Sequence, residues 1–221
     1  LDIPPMRDGD SYAPGLWLAG APLGDGAWAG ATIYRSTDGE QSWDVVGNMP
    51  YRCTVGTSTT ALAGAAPSET HGSSSVVWDA VSTITVTFDA LGQLPIASFP
   101  EQLVLDGLNW FHVQSDDGTF EIIGARDATQ VTSTEYIFSY LLRGLRGAAG
   151  GIATRRAAGA KVTTVGHPTE AYLLWLPCDG VASGAVQSFR FVAPGEDVSD
   201  VESVGITARW RNCSPFPVRD V

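Results

Sequence analysis

At 221 residues, with 44% hydrophobic and 17% charged residues, the chain can bury a sizeable core and is too apolar for a disordered polymer. Its formal net charge is −11, and no basic cluster is longer than Arg155-Arg156. Phosphate-neutralising recognition needs several converging Lys and Arg side chains, so specific nucleic-acid binding is excluded as a leading reading.

In chain order, the first 29 residues are rich in Pro, Gly and Asp, with one strand predicted at 15–19. Pro4-Pro5 fixes the backbone and removes two donors, which suits an extended N-terminal segment. Residues 30–46 read as a hairpin, with strands at 31–35 and 42–46 around the turn Thr37-Asp38-Gly39. Residues 54–75 are small, polar and dotted with glycine, and are expected to form a long surface loop or an arm reaching a partner. In 76–88, Ile84, Val86 and Phe88 alternate with Thr83, Thr85 and Thr87, the pattern of a half-buried antiparallel strand.

Strands are then expected at 102–105, 108–114 and 119–123, separated by Asp106-Gly107 and Asp116-Asp117-Gly118. The strand 135–142 follows, with Tyr136, Phe138, Tyr140 and Leu142 on one face at a period of two. Further strands are predicted at 160–165, 171–176, 185–192 and 204–210, and Pro215-Phe216-Pro217 reads as a connector. The 25 glycines, 13 prolines and many Thr, Ser and Val favour short strands over helices. The fold class is therefore all-β, as antiparallel barrel or sandwich-like domains with long loops and little helix. The chain divides into a β-rich part at 1–95, a barrel-like part at 96–200, and a strand and connector at 201–221 leading to a further domain. It begins with Leu and reads as a segment of a longer protein. No run of 18 apolar residues offers a membrane-spanning helix.

Candidate chemistry is sparse. Cys53, Cys178 and Cys213 form no C-x-x-C pair, so a zinc or redox site has little support, and a single disulfide among them is left open. His71, His112 and His167 lack acidic or cysteine partners at ligand spacing, and no metal site or cofactor is assigned. Asp8-Gly9-Asp10 and Asp116-Asp117 suit turn caps better than an acid/base pair, and calcium at Asp8 and Asp10 lacks a following ligand loop. No G-x-S-x-G element occurs, and no catalytic residue is assigned. The segment Ser36 to Trp43 is similar to the Asp-box of sialidases, but Gly39 comes one place early and only one copy is present, whereas a propeller repeats its motif. An Asp-Gly turn with a packed Trp explains the segment equally well. The seven tryptophans could stack on sugar faces; most lie in predicted strands, which favours core packing.

The strand 135–142 runs into Leu141-Leu142-Arg143-Gly144-Leu145-Arg146-Gly147, followed by Arg156-Ala157-Ala158-Gly159-Ala160-Lys161-Val162. This combination resembles the tail hub, or baseplate, proteins of long-tailed bacteriophages and gene transfer agents. Leu1 to Asp8, Gly30 to Gly39 and Ala208 to Val218 resemble further segments of that family, in the same order. Ala148 departs from the pattern, since the family usually has Thr after R-G.

The resemblance implies a structural, non-enzymatic chain in the virion. It would assemble as a homotrimeric ring at the tail tip, touching distal tail, tape measure and fibre proteins, and enclosing the DNA exit path. A negative surface there would repel passing DNA. Arg143, Gly144, Arg146 and Gly147 are the candidate assembly contacts, with the arginines forking onto carboxylates across a contact or else ending a strand in solvent. The alternative is a carbohydrate- or receptor-binding tail module, which tryptophans exposed in a groove would favour.

Overall fold

The computed structural model describes residues 15–22, 27–64, 78–91, 96–116, 118–145, 156–165, 172–178, 181–182 and 184–207. Its regular secondary structure is nearly all antiparallel β, in keeping with the composition and the alternation. Two units are present.

One unit joins residues 1–53 to 172–215. Its four-stranded sheet has the order β12-β11-β2-β3, from β2 (Ala31–Ser36), β3 (Asp44–Met49), β11 (Val186–Val192) and β12 (Val204–Thr207). The expected hairpin at 31–46 is present as β2 and β3, with a register shift at Ile33/Tyr34. A second sheet pairs β1 (Gly15–Leu18) with β10 (Leu174–Pro177). Leu16, Leu18 and Leu176 from this pair share a core with Ile33, Met49 and Phe189 from the four-stranded sheet.

The other unit holds the barrel. Strands β4 (Val55–Ser58), β5 (Trp78–Ala90), β6 (Trp110–Gln114), β7 (Phe120–Gln130), β8 (Glu135–Leu142) and β9 (Lys161–Thr164) close in the order β4-β5-β8-β7-β6-β9. Every pairing is antiparallel, and β9 returns to β4 through Val55↔Thr163 and Gly56↔Val162. Closure removes the unpaired edges that an open sheet would present. The interior is filled by Ile84, Val86, Phe88, Phe111, Val113, Ile123, Phe138 and Val162. The barrel takes strands from both sides of residue 95.

Three expectations require correction. The segment 54–75, read as a loop, begins with β4 and continues to Leu62, whose backbone bonds reciprocally to that of Arg156; 65–75 lies outside the described residues. The strand escaped notice because its inward positions are Gly56 and Ser58, which carry no apolar signal. Gly56 is there for closeness: a Cβ on it would meet Thr87 O and lie 2.7 Å from Phe88 Cα.

The segment 102–105 is not a strand but the single-turn helix α1 (Glu101–Leu105). Glu, Gln and Leu are good helix formers, and Gln102 Nε2 donates to Asp106 Oδ1 at 3.1 Å one turn on. Val104 is its buried residue, and its carbonyl accepts a 2.6 Å bond from Trp110 Nε1.

The third correction concerns β8. Tyr136 and Phe138 enter the barrel core as expected, but Leu141 joins them there, whereas Tyr140 is half-buried. Tyr140 has φ of 55°, a left-handed conformation inside a strand, and the alternation changes phase at that residue.

Candidate functional site

The buried charged side chains of the barrel, Glu121, Arg143 and Arg156, gather near the end of β8. On β7 the directly opposed pairs Phe111↔Ile123 and Val113↔Glu121 place Glu121 on the core side of the sheet. Directly opposed residues of an antiparallel pair share a face, so Glu121 stands among apolar side chains, with 0% exposure. An ionised carboxylate there needs a partner.

Arg143, the residue after β8, supplies it. Its Nε donates to Glu121 Oε1 at 2.6 Å and its Nη2 to Oε2 at 2.9 Å, a forked pair that lysine could not reproduce. Nη1 donates to Asp79 Oδ2 at 3.0 Å and Nη2 to the Ala63 carbonyl at 3.1 Å. Four of the five guanidinium N–H groups are thereby used. The Gly144 amide adds a 3.0 Å bond to Glu121 Oε1, at a residue whose φ of 63° suits glycine. Asp79 sits where β5 departs from its register with β8, between Asp79↔Leu141 and Thr83↔Ser139. Its Oδ1 accepts from the amides of Val81 and Ser82 at 3.1 and 2.8 Å, holding the extra residues outward and leaving Val81 91% exposed.

Charge follows from this geometry. Burial opposes the charged form of Arg143, but the hydrogen bonds and charge of Glu121, and then of Asp79, outweigh it and raise its pKa above the ordinary arginine value. For Asp79 burial again opposes the charged form, which for a carboxyl raises the pKa. The Ser82 hydroxyl and amide, the Val81 amide and Arg143 together prevail and lower it.

A second arginine works nearby. Arg156 is fully buried, with Nη1 donating to Thr119 Oγ1 at 2.6 Å and Nη2 to the Phe120 carbonyl at 3.1 Å. Both acceptors immediately precede Glu121 in the chain, so two buried guanidiniums grip one stretch of β7. Of the four candidate assembly residues, Arg143 and Gly144 thus come together on Glu121, while Arg146 and Gly147 lie outside the described residues. Arg143 is neither a solvent-facing strand end nor uncommitted: its guanidinium is engaged within its own chain.

Sequence reasoning missed Glu121, Asp79 and Arg156. The available signal was Glu121 itself, an acid in step with Ile123 on a strand whose inward positions are otherwise apolar.

The remaining candidates are dispersed. His112 is buried in β6 and packs against Phe120, with ring centroids 5.0 Å apart and the rings tilted by 33°. His71, His167, Asp8, Asp10, Asp117 and Cys213 lie outside the described residues. Cys53 and Cys178 are both buried. Among the described residues, no group of three His, Cys, Asp or Glu could hold a metal ion. No described helix is long and apolar enough to cross a membrane.

The Asp-box-like segment forms a tight turn. Asp38 Oδ1 accepts from Ser36 Oγ and from the Gln41 and Ser42 amides, and Oδ2 accepts from Ser42 Oγ at 2.6 Å. The Ser42 hydroxyl, its amide and the Ser36 hydroxyl hold the Asp38 carboxyl well below the usual range. This is the turn-cap role, in a unit whose larger sheet has four strands. Trp43 packs under the Arg190 guanidinium, 4.3 Å from Cζ to the ring centroid.

Comparison with protein families bears on the barrel. The family model described as Rcc01698-like, C-terminal, matches residues 53–163, which is half of the chain and nearly coincides with strands β4 to β9. The chain belongs to this family. The Rcc01698-like name is associated with gene transfer agents, which agrees at that level with the resemblance carried by LLRGLRG. In this member of the family, the Glu121–Arg143–Gly144 lock and Asp79 all lie inside the matched span. No curated protein matches the chain.

Proposed function

We propose that this Rcc01698-like chain is a structural, non-enzymatic part of the tail tip of a phage-like particle. It contributes to a hub ring, homotrimeric in the resemblance that suggests it, which joins the tail tube to tip or fibre proteins and surrounds the DNA exit path. The observation that carries this reading is the matched span itself. The family relationship falls on a closed barrel whose charged interior groups are tied to one another, Glu121 and Asp79 both to Arg143. A forked buried pair with further hydrogen bonds favours one rigid arrangement of the strand ends, which suits a ring that must hold its shape under force. The same two carboxylates are poorly suited to acid/base work, since each is held by a guanidinium.

The tryptophans support the structural reading over a sugar-binding one. Trp17 and Trp110 are buried, and Trp28, Trp43, Trp78 and Trp175 are half-buried, so none of these six presents an open stacking platform. The described arginines are also largely engaged: Arg126 with Asp127, Arg143 with Glu121, Arg156 with Thr119, and Arg190 against Trp43. Among the described residues, few cations are then left to attract a passing nucleic acid.

The test is localisation in the particle. A tag on the chain, imaged by electron microscopy of purified particles, should appear at the tail tip in a threefold ring. Purified particles that lack the chain would overturn the proposal. Tight retention of DNA by the isolated protein at low salt would overturn the repulsive lining.

A further inference from the structure

The Arg143 lock depends on which way β8 points when it ends, and that direction is set three residues earlier. Tyr136 and Phe138 face the barrel core, and strict alternation would send residues 140 and 142 inward and leave residue 143 outside. Instead Leu141 is in the core, and Arg143 follows it inward onto Glu121. The phase changes at Tyr140, whose φ is 55°.

The neighbouring strands change with it. On β7, Ile123 and Ala125 line the core and Ala128 packs against it, so that strand slips phase at the same level while keeping its register, Ala125↔Leu141 and Asp127↔Ser139. On β5, the register shift between Asp79 and Thr83 absorbs the difference.

A left-handed backbone is costly for an aromatic residue and needs support from its surroundings. The surroundings here are specific. The Arg126 guanidinium lies 3.6 Å from the centroid of the Tyr140 ring, and the Trp78 ring centroid is 5.2 Å away. Arg126 is itself fixed by a fork onto Asp127, at 2.9 and 2.7 Å.

We propose that Tyr140, held between Arg126 and Trp78, is the positioning residue of the lock: its left-handed turn re-phases β8 so that Arg143 enters the barrel. The inference rests on the barrel geometry and stands whether or not the chain forms a tail hub. Glycine adopts the left-handed region freely, whereas a β-branched residue resists it strongly.

The experiment follows the Arg143 Nε–H proton by nuclear magnetic resonance in the isotope-labelled full chain, with Arg143→Lys identifying the signal. In the parent protein this proton, bonded to buried Glu121, should exchange slowly with water. Tyr140→Gly should keep it slow even if melting falls, because the backbone conformation is retained without the ring. Tyr140→Val should speed exchange by about tenfold or more, the order expected for forcing a disfavoured backbone. Equal exchange in the Gly and Val variants, whether slow or fast, would overturn the proposal. Should Tyr140→Val fail to fold, Trp78→Leu and Arg126→Gln decide the matter with residue 140 intact. Faster exchange at unchanged circular dichroism supports the proposal, and parent-like exchange in both overturns it.

Discussion

Arg143 and Glu121 form a forked pair of 2.6 and 2.9 Å across the barrel end, and the Glu121 side chain has no solvent exposure at all. Two charges withdrawn this far from water contribute little net stability as a pair, but each is badly placed without the other. Arg143→Met should therefore destabilise the barrel by about 3–5 kcal/mol, the range for stranding a buried charge. Urea unfolding measures it. Glu121→Leu combined with Arg143→Met should recover a good part of that loss, since no buried charge is left between the two. A double variant whose loss equals the sum of the single losses would show that the two side chains act independently.

The acid response follows from Asp79. Burial raises its pKa, but the Ser82 hydroxyl and amide, the Val81 amide and Arg143 lower it further, so the folded value lies below the ordinary one. A carboxyl depressed by folding stabilises the protein above the unfolded pKa of about 4, and that contribution is lost as pH falls through the lower folded value. Stability measured by urea midpoint should thus fall on acidification below about pH 4. Asp79→Asn should be less stable than the parent at neutral pH and show a shallower acid loss, because the titrating group has gone. An acid slope identical to the parent's would assign the effect to other carboxylates.

Gly56 tests barrel closure. A methyl group there would press on Thr87 O and Phe88 Cα, both backbone atoms that cannot swing aside. Gly56→Ala should lower stability by about 1–3 kcal/mol, the usual cost of overpacking. It should also reduce amide protection along β4 and its partners β5 and β9, read by hydrogen exchange. Gly47→Ala makes a useful contrast. Its new methyl would meet only the end of the flexible Leu174 side chain, at 2.7 Å, which can turn away. A Gly56 variant no less stable than the Gly47 variant would contradict the close approach of β4 to β5.

Where the sequence carries an alternating pattern, the strand is legible in it. Ile84, Val86 and Phe88 lie in the core as their spacing predicts, and the hairpin at 31–46 closes on Asp38. Legibility fails where the inward side chains are small, as at Gly56 and Ser58, because a strand lined by glycine and serine looks like a loop. It fails at 102–105 because Leu103 and Leu105, which suggest a strand, are exposed on a helical turn anchored by Val104. The site was half legible. The pairing of Arg with Gly in L-R-G marked a place of consequence, but the partners Glu121 and Asp79 lie 22 and 64 positions away. Only the closed barrel, with its phase change at Tyr140, brings them to Arg143.

Cys53 offers a probe of the other unit. It is buried, its Sγ lies 3.4 Å from the Tyr172 carbonyl, and burial pushes its thiol from an ordinary 9.0 up to about 11. The thiolate is the reactive species, so native Cys53 should resist alkylation at pH 8 and become modified once the unit opens. Peptide mapping after a short iodoacetamide pulse, with and without urea, measures this. The same shift sets an alkaline limit. Between about pH 9 and pH 11 the unfolded thiol has lost its proton while the folded one keeps it, so stability falls as pH rises through that window. Cys53→Ala should flatten the decline there, at some cost from the lost packing. Rapid labelling of Cys53 in the native protein at pH 8 would contradict the buried placement from which both expectations come.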